Sequence, residues 1–262
     1  MRRTKVIVLG AVTIDEIYER GTLIEKAGGS PIYSGLGVDV TGGEVGAYIG
    51  IGKDFVFELP KYLKVVEKST FEKTMRFTII FENNERHLIL RHKHGTIPLR
   101  HSVLQGWQGV LINPVCGEIG NYDLPEMPIA VDIQGFIRNC IEGEEIVLSR
   151  PFSFRVNSDI SVFHANVDEL QASNLDPTKI KDLGYKEIII SDGSNGFTLY
   201  ASGKIIKRTP IVKGSYEVGN GDFLLASYFT LRLEGLDPEI ASSEALNFSE
   251  KFSTQGLNLS RH

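Results

Sequence analysis

The sequence predicts an α/β protein built on a mostly parallel sheet with helices on both faces. Six apolar runs have the length of single buried strands, at 6–10, 45–50, 109–113, 129–133, 161–164 and 187–191. Helical segments fit between several of them, at 31–40, 168–173, 177–183, 222–234 and 238–253. This alternation is typical of a parallel sheet covered on both faces. Neither a linker nor an internal repeat divides the chain, so residues 1–262 are expected to form one domain.

Helix boundaries support individual elements. Asp237 followed by Pro238 is a typical helix start, with the aspartate as N-cap and the proline in the first turn. Gly235 is placed to end the preceding helix. That helix, 222–234, is apolar on nearly all sides and should be buried.

Two other regions alternate with period two and indicate antiparallel hairpins. The first is 15–27, broken by Gly21-Thr22, and the second is 71–94, turning at 82–85. They are far apart in sequence but could form one small sheet. The alternative is that each is an ordinary hairpin at the edge of the main sheet.

Composition limits the classes of function. A net charge of −5 argues against a nucleic-acid surface. No apolar run approaches the roughly 20 residues needed to span a bilayer. Two cysteines, Cys116 and Cys140, are too few for a disulfide framework, which favours a reducing compartment and a cytoplasmic location. The two are therefore expected to be buried or incidental thiols.

The most informative segment places two glycines and an aspartate at the start of the apolar helix, in Gly219-Asn220-Gly221-Asp222. A glycine turn feeding a helix directs free backbone N–H groups at an anion. Asp222 would repel that anion unless it removes a proton from a hydroxyl that attacks a phosphate. The alternative is a plain helix N-terminus in which Asp222 only complements the helix dipole.

This segment resembles the Gly-Ala-Gly-Asp signature of the ribokinase (PfkB) family of carbohydrate kinases. Five further matches follow the family's order along the chain: Gly10-Ala11-Val12-Thr13-Ile14-Asp15, Gly28-Gly29-Ser30-Pro31-Ile32-Tyr33, Gly50-Ile51-Gly52-Lys53-Asp54, Asn166-Val167-Asp168-Glu169 and Ser191-Asp192-Gly193-Ser194-Asn195-Gly196. The short archaeal subgroup that includes myo-inositol 3-kinase is resembled most, above all in 132–138. The resemblance implies a ribokinase-like three-layer fold in which 15–27 and 71–94 build a β lid over the sugar site.

The resemblance also implies roles for single residues. Asp222 would be the catalytic base, and the amides of Gly219, Asn220 and Gly221 would form the anion hole. The acceptor side would comprise Asp15, Gly28, Gly29 and Tyr33. The nucleotide side would comprise Asn166, Glu169, Ser191, Gly193 and Gly196, with Glu169 also serving Mg²⁺ through water. The spacing of Asn166 and Glu169 equally fits a helix capping box.

Charge and position add further candidates. The chain has no Walker-type lysine turn, so Arg138 is the cation expected beside the transferring phosphoryl group. Asp132 and Gln134 end a core strand, where ligands of open α/β sheets bind, and are expected to bind substrate. Asn113 and Asn121 are further possible hydroxyl contacts.

Four positions depart from the family pattern. Tyr33 stands where most members have Asn, Tyr216 where most have Asp, Glu217 where most have Thr, and Asn220 where most have Ala. Tyr216 argues against activation by a monovalent cation, and the Asn220 side chain should narrow the anion hole or add a donor to it.

The predicted function is an ATP- and Mg²⁺-dependent kinase that phosphorylates a hydroxyl of a small polyol, cyclitol or sugar. A nucleoside kinase of the same fold, a non-catalytic ligand-binding relative and an unrelated dehydrogenase are the alternatives. The expected partner is the small-molecule acceptor, with the protein a monomer or a lid-mediated homodimer.

Overall fold

The computed structural model describes residues 3–260 except residues 20, 83, 84, 121, 123 and 217. Fifteen strands are assigned in this part of the chain. They are β1 (Lys5–Ala11), β2 (Thr13–Glu19), β3 (Thr22–Gly28), β4 (Glu44–Gly52), β5 (Lys64–Phe71), β6 (Met75–Glu82), β7 (Glu85–His92), β8 (Gly109–Ile112), β9 (Ile129–Asp132), β10 (Arg138–Asn139), β11 (Val147–Leu148), β12 (Ser161–Asn166), β13 (Glu187–Ser191), β14 (Phe197–Ala201) and β15 (Lys204–Arg208).

Nine of these strands form the main sheet, in the order β5-β4-β1-β8-β9-β12-β13-β14-β15. The strands from β5 to β13 are mutually parallel, and β14 and β15 are antiparallel to their neighbours. In the middle of the sheet, Val8 lies beside Ala47 on one side and Leu111 on the other. All six predicted core strands are confirmed, as is the predicted α/β class.

Six helices accompany the sheet within the described residues: α1 (Ser30–Val40), α2 (Gln134–Ile137), α3 (Val167–Ala172), α4 (Pro177–Asp182), α5 (Asn220–Leu233) and α6 (Pro238–Gln255). The five predicted helices are confirmed, and the four-residue α2 was not predicted. Asp237 caps α6 by accepting the N–H groups of Glu239 and Ile240. α5 ends at Leu233, just before Gly235 with its φ of +92°.

The two faces of the main sheet are covered unequally. Val6 and Val8 of β1 point into a core shared with the long helices α1 and α5. Ile7 and Leu9, which alternate with them, point into the opposite core, covered by the short α4 and irregular segments such as the one carrying Phe152. The expected helices on both faces are therefore present, but the long ones share one face.

The two predicted hairpins form one small sheet, as expected. Its order is β3-β2-β6-β7, with antiparallel pairing inside each hairpin and parallel pairing between β2 and β6. Residues 143–146 form backbone hydrogen bonds with the outer side of β7. The Gly143 N–H donates to the Leu90 carbonyl at 2.8 Å, and the Ile146 N–H donates to the Leu88 carbonyl at 2.7 Å. The small sheet is thereby tied to the segment that follows β10.

Two single-residue junctions connect the small sheet to the rest of the fold, one to the main sheet and one to α1. Val12 is the single residue between β1 and β2; it is fully buried, and its N–H donates to the Gly50 carbonyl at 3.0 Å. Gly29, between β3 and α1, has a φ of +97°, and a Cβ there would lie 2.3 Å from the Ala11 carbonyl oxygen. Only glycine fits this position.

The cysteines are buried, as one of the two expectations had it, but they are not incidental thiols, because Cys116 and Cys140 form a disulfide with their Cα atoms 5.8 Å apart. Cys116 lies in the loop after β8, and Cys140 directly follows β10. Their separation of 24 residues carries no pairing signal, and only the fold brings the two loops together. The cysteine count therefore no longer supports a reducing compartment. In the described part of the chain, no helix has both the length and the apolar character required to cross a bilayer.

Candidate active site

The predicted glycine turn forms the N-terminus of α5. Gly219 is the N-cap residue in the left-handed region, with φ +79°, and a Cβ there would lie 2.2 Å from the ring of Tyr33. Backbone conformation and space both require glycine at this position. The first turn of a helix leaves its N–H groups without intrahelical partners. Those of Asn220, Gly221 and Asp222 are therefore available for an anion.

The side chain of Asn220 turns away from this anion site. Its Nδ2 donates to the backbone carbonyl of Tyr216 at 2.5 Å. Tyr216 packs edge-on against Phe252, with ring centroids 5.3 Å apart, and a Cβ on Gly256 would meet its ring at 2.5 Å. Asn220 and Tyr216 thus brace the glycine turn against the end of α6. Glu217 lies outside the described residues, as does Asn121.

The Asp222 carboxylate is held by two amide side chains. Its Oδ1 accepts hydrogen bonds from Asn113 Nδ2 at 2.7 Å and Gln134 Nε2 at 3.0 Å. The Gln134 amide also accepts from Arg138 Nη2 at 2.8 Å through its Oε1. Arg138 is thereby linked to Asp222 through a single glutamine side chain.

The environment of Asp222 tunes its acidity. The residue is only 9% exposed, and burial and the charge of Asp132 raise its pKa. The Asn113 hydrogen bond and the positive charges of His164 and Arg138 act in the opposite direction, and the resulting pKa is about 6. The carboxylate is therefore mostly ionised at neutral pH yet is a stronger base than an exposed aspartate, as general-base catalysis requires.

A buried histidine lies beneath the glycine turn. A Cβ on Gly221 would come within 2.8 Å of His164 Cε1, so the turn rests directly on the imidazole. His164 Nδ1 pairs with Asp132 Oδ2 at 2.6 Å, and Nε2 lies 3.1 Å from Ser191 Oγ. Burial lowers the pKa of His164, but the carboxylates of Asp132, Glu169 and Asp222 together outweigh burial and raise it. Protonation of this imidazole would place a positive charge under the anion site, which suits a phosphoryl group above it.

The predicted acceptor residues lie close to the base. Asp15 on β2 is buried and accepts a hydrogen bond from Thr13 Oγ1 at 2.7 Å. A Cβ on Gly28 would lie 2.0 Å from Asp15 Oδ2, so this glycine makes room for the carboxylate. Burial raises the pKa of Tyr33, and Asp15 and Asp222 raise it further, because both carboxylates lie near its phenol. The structure thus brings Asp15, Tyr33 and Asp222 together.

Asp132 and Gln134 have different surroundings from those expected of substrate ligands. Asp132 Oδ1 accepts the backbone N–H of Gln134 at 2.8 Å, and its Oδ2 is paired with His164. The Gln134 side chain forms hydrogen bonds with the side chains of Asp222, Arg138 and Asn113. Both residues therefore support the site from within, and direct contact of either with substrate stays a prediction.

On the predicted nucleotide side, Asn166 and Glu169 form the capping box that their spacing also allowed. Asn166 Oδ1 accepts the Glu169 N–H at 2.8 Å, and Glu169 Oε2 accepts the Asn166 N–H at 2.9 Å. Burial and the charge of Asp132 raise the pKa of Glu169 to about 7. Roles for these residues toward nucleotide or Mg²⁺ stay predictions.

The remaining nucleotide-side residues frame the turn after β13. Ser191 reaches His164, whereas Gly193 and Gly196 bound the short turn into β14. Gly196 has φ +97°, and a Cβ there would lie 1.9 Å from the Arg208 carbonyl oxygen, so glycine is needed for the turn itself. The described residues contain no cluster of three or more His, Cys, Asp or Glu placed to hold a metal ion.

Sequence reasoning gave no role to two residues of this site. For His164 a usable signal exists, because it is a polar residue inside an apolar strand of the parallel sheet. For Glu118, the sequence contains no pattern that marks a buried carboxylate. The side chain is fully buried, and it accepts hydrogen bonds from the N–H groups of Ala11, Val115 and Cys116 at 3.0, 2.8 and 2.8 Å. It fixes the loop that follows β8.

No protein-family model matches the sequence, and no curated protein matches it either. Solved structures do match. A pyrophosphate-dependent kinase in the ribokinase family, complexed with a pyrophosphate analog and myo-inositol, has a TM-score of 0.76 at 17% identity, over 94% of this chain and 93% of its own. Arabidopsis thaliana ribokinase, complexed with ribose and ATP, has a TM-score of 0.66 at 16% identity, and the match covers 99% of this chain and 94% of the ribokinase. The Methanocaldococcus jannaschii nucleoside kinase, an archaeal member of the same family, has a TM-score of 0.67 at 13% identity, and the match covers 98% of this chain and 94% of the nucleoside kinase. At these identities the likeness establishes the fold.

Proposed function

From the ribokinase-family fold that this chain shares, we propose that it is a kinase transferring the terminal phosphoryl group of ATP to a hydroxyl of a small polyol, cyclitol or sugar. One observation carries the proposal. Asp222 stands in the first turn of α5 with a pKa of about 6, beside the N–H groups of Asn220 and Gly221, which have no intrahelical partner at this end of the helix. A base and an anion site side by side are what phosphoryl transfer to an alcohol needs.

In the proposed reaction, Asp222 removes the proton of the acceptor hydroxyl as its oxygen attacks the terminal phosphorus. The bond from phosphorus to the bridging oxygen of the donor breaks, and the remaining diphosphate leaves with that oxygen. The N–H groups of Asn220 and Gly221 and the guanidinium of Arg138 stabilise the charge on the transferring group. Gln134 and Asn113 hold the base in place for this step.

Mg²⁺ would neutralise phosphate charge on the donor side. Glu169 supplies a carboxylate of the type that Mg²⁺ prefers, but its Oε2 already caps α3. A contact through water therefore fits the geometry better than direct ligation.

The acceptor side favours a hydroxylated ring. The Asp15 carboxylate can accept hydrogen bonds from neighbouring hydroxyl groups, and Tyr33 is already packed against Gly219. The structural neighbours that act on or bind myo-inositol and ribose share this fold. An adenosine-type acceptor is the second candidate, because a nucleoside kinase has the fold as well.

Inorganic pyrophosphate is the alternative donor. Pyrophosphate-dependent kinases reach TM-scores of 0.77 and 0.76, above the 0.66 of the ATP-bound ribokinase. The proposed chemistry at Asp222 is the same for both donors. A donor assay therefore separates them without affecting the assignment of the base.

The test is a matrix of donors and acceptors. ATP and pyrophosphate are each combined with myo-inositol, fructose, ribose and adenosine, and the phosphorylated product is detected by mass spectrometry. We expect product with a polyol, cyclitol or sugar. Preference for adenosine would favour the nucleoside kinase. Binding of an acceptor by calorimetry without any product would favour the non-catalytic relative, and absence of both would overturn the proposal.

The pH dependence follows from the state of Asp222. The base must be ionised, so turnover should fall about tenfold per pH unit below an apparent pKa near 6 and should level off above it. The measurement is turnover at saturating substrates between pH 5 and 8.5, with circular dichroism confirming the fold at each pH. Turnover that stays level down to pH 5 would remove Asp222 from the role of base.

Replacing Asp15 with alanine should weaken acceptor binding. Hydrogen bonds to charged groups contribute about 1.5–3 kcal/mol, so the acceptor KM should rise by about 10- to 100-fold while the donor KM changes little. Glu16→Gln is a matched control, because Glu16 is the next residue on β2 and points to the opposite side of the small sheet, toward Arg76. An equal rise in both KM values would contradict the acceptor-side assignment.

A further inference from the structure

Arg138 is held by two groups from different parts of the chain. Its Nη2 donates to Gln134 Oε1, and its Nη1 donates to the backbone carbonyl of Val115 at 2.9 Å. Val115 directly precedes Cys116, and Arg138 lies two residues before Cys140. The disulfide therefore links the segment that carries Arg138 to the segment whose Val115 carbonyl accepts the guanidinium hydrogen bond.

Just before Arg138, the two segments also meet where Gln134 Nε2 donates to Asn113 Oδ1 at 3.2 Å and where Gly135 packs closely on Pro114. Arg138 belongs to β10, which pairs with β11 over two residues, Arg138 with Leu148 and Asn139 with Val147. An isolated two-stranded ladder of this size has little stability of its own. On the other side, the loop carrying Val115 is fixed by Glu118, which accepts the N–H groups of Val115 and Cys116.

Both cysteines are buried, with Cys116 0% and Cys140 8% exposed, and they pack with Ala11, Phe77 and Leu90 under the small sheet. Two thiols cannot remain at the bonding distance of a disulfide. Because the surrounding side chains are close-packed, the sulfur atoms can separate only if a backbone segment moves. Either movement changes the distance between the Val115 carbonyl and Arg138.

We propose that the Cys116–Cys140 disulfide is a positioning element of the active site. It fixes the position of the Arg138 guanidinium and thereby makes turnover dependent on the redox state of the two cysteines. The proposal rests on the proposed kinase function, with Arg138 stabilising the transferring phosphoryl group. Reduction lowers the rate of transfer but spares acceptor binding, because Asp15 and Gly28 lie on other segments.

The redox step is simple thiol–disulfide exchange. A dithiol such as dithiothreitol supplies two electrons and two protons, yielding two cysteine thiols while the reagent closes to a cyclic disulfide. The chain has two cysteines, both in this bond, so reduction changes no other covalent group. Oxidised glutathione can restore the bond by the reverse exchange.

The kinetic test compares oxidised and reduced protein, with the thiols counted after denaturation and with temperatures kept well below unfolding of the reduced form. A misplacement of about 1 Å can cost about 10²-fold, so we expect turnover to fall by about 10-fold or more, and the acceptor KM to change less than about twofold. Reoxidation should restore the rate, and the Cys116→Ser/Cys140→Ser double variant should behave like the reduced protein. Unchanged turnover in fully reduced protein would overturn the proposal.

The Arg138→Ala background separates positioning from general stability. Without the guanidinium, reduction should lower turnover less than about twofold, because there is no Arg138 left to misplace. A fall as large as in the parent protein would show that the disulfide acts by another route and would refute the proposal.

Hydrogen–deuterium exchange gives a readout that needs no activity. On reduction, exchange should accelerate in 113–118 and 137–140 and stay unchanged in α6. Exchange unaltered in both segments would overturn the proposal. If no pair of donor and acceptor reacts, the proposed kinase function is refuted. The hydrogen–deuterium exchange result still decides whether the disulfide fixes the segment that carries Arg138.

Discussion

Replacing Asp222 with asparagine should lower turnover by at least about 10², the usual minimum for loss of a general base. The asparagine can still accept the hydrogen bonds of Asn113 and Gln134 through its Oδ1, so the site should keep its shape. Donor affinity should therefore change little. The measurement is turnover and donor binding for Asp222→Asn beside Asp182→Asn, an exposed carboxylate at the end of α4. Turnover close to that of the parent would refute the assignment of the base.

The same variant should be more stable than the parent above pH 6. The pKa of Asp222 rises from 3.8 to about 6 on folding, so the native carboxyl stabilises the fold when protonated and loses that contribution as pH rises through 6. A shift of roughly 2 units corresponds to about 3 kcal/mol at most. Asparagine stays neutral and avoids this loss. Thermal unfolding at pH 8 should show a higher Tm for the variant, and the difference should shrink toward pH 4; a lower Tm at pH 8 would contradict the pKa argument.

Replacing Arg138 with alanine should lower turnover by about 10²–10³, as loss of a donor to the transition state does in other enzymes. Lysine should recover only part of the rate, because it lacks the planar fork that Val115 and Gln134 hold in place. Arg150→Ala is a control, since this arginine is exposed and lies on the segment just after β11. A loss in the Arg150 variant equal to that in the Arg138 variant would show that local charge, not position, is responsible.

Arg138→Ala should also move the acid limb of the pH profile. The positive charge of Arg138 lowers the pKa of Asp222 and of Glu169. Without that charge both carboxyls hold their protons more firmly, so the fall in turnover should begin at a higher pH than in the parent. The comparison requires turnover profiles of both proteins at equal ionic strength. An unshifted limb would mean that Arg138 does not act on the base.

The sequence predicts the parts of the fold that are buried on both sides. β8 and β9 are continuous apolar runs because helices or loops cover both faces of the sheet there. β5 and β15 escaped prediction since they are half-exposed and rich in charged residues. Pairing at the edge of a sheet, not side-chain pattern, makes them strands. α2 is a single turn, too short for helical periodicity.

Within the site, local signals predict local features and miss partners that are distant in sequence. The glycine turn at Asp222 is readable because its parts are adjacent. The Gln134 amide was expected at the substrate, but its partner Asp222 is 88 residues away and no pattern links them. The pairing of Asp132 with His164, 32 residues apart, was unreadable for the same reason. A single sequence specifies which groups need partners and leaves to tertiary packing which partners they find.

The single-residue junction at Val12 has a consequence for the entropy of acceptor binding. Because Val12 is buried and bonded to Gly50, β2 leaves the main sheet as a rigid continuation of β1, and Asp15 stands only three residues beyond that anchor. The far end of the small sheet, by contrast, is open to solvent, with Tyr18 and Leu23 each 48% exposed. The ordering of Asp15 relative to Asp222 is completed during folding. In the proposed reaction, the acceptor would meet a preorganised pair of carboxylates and would lose mainly its own freedom on binding.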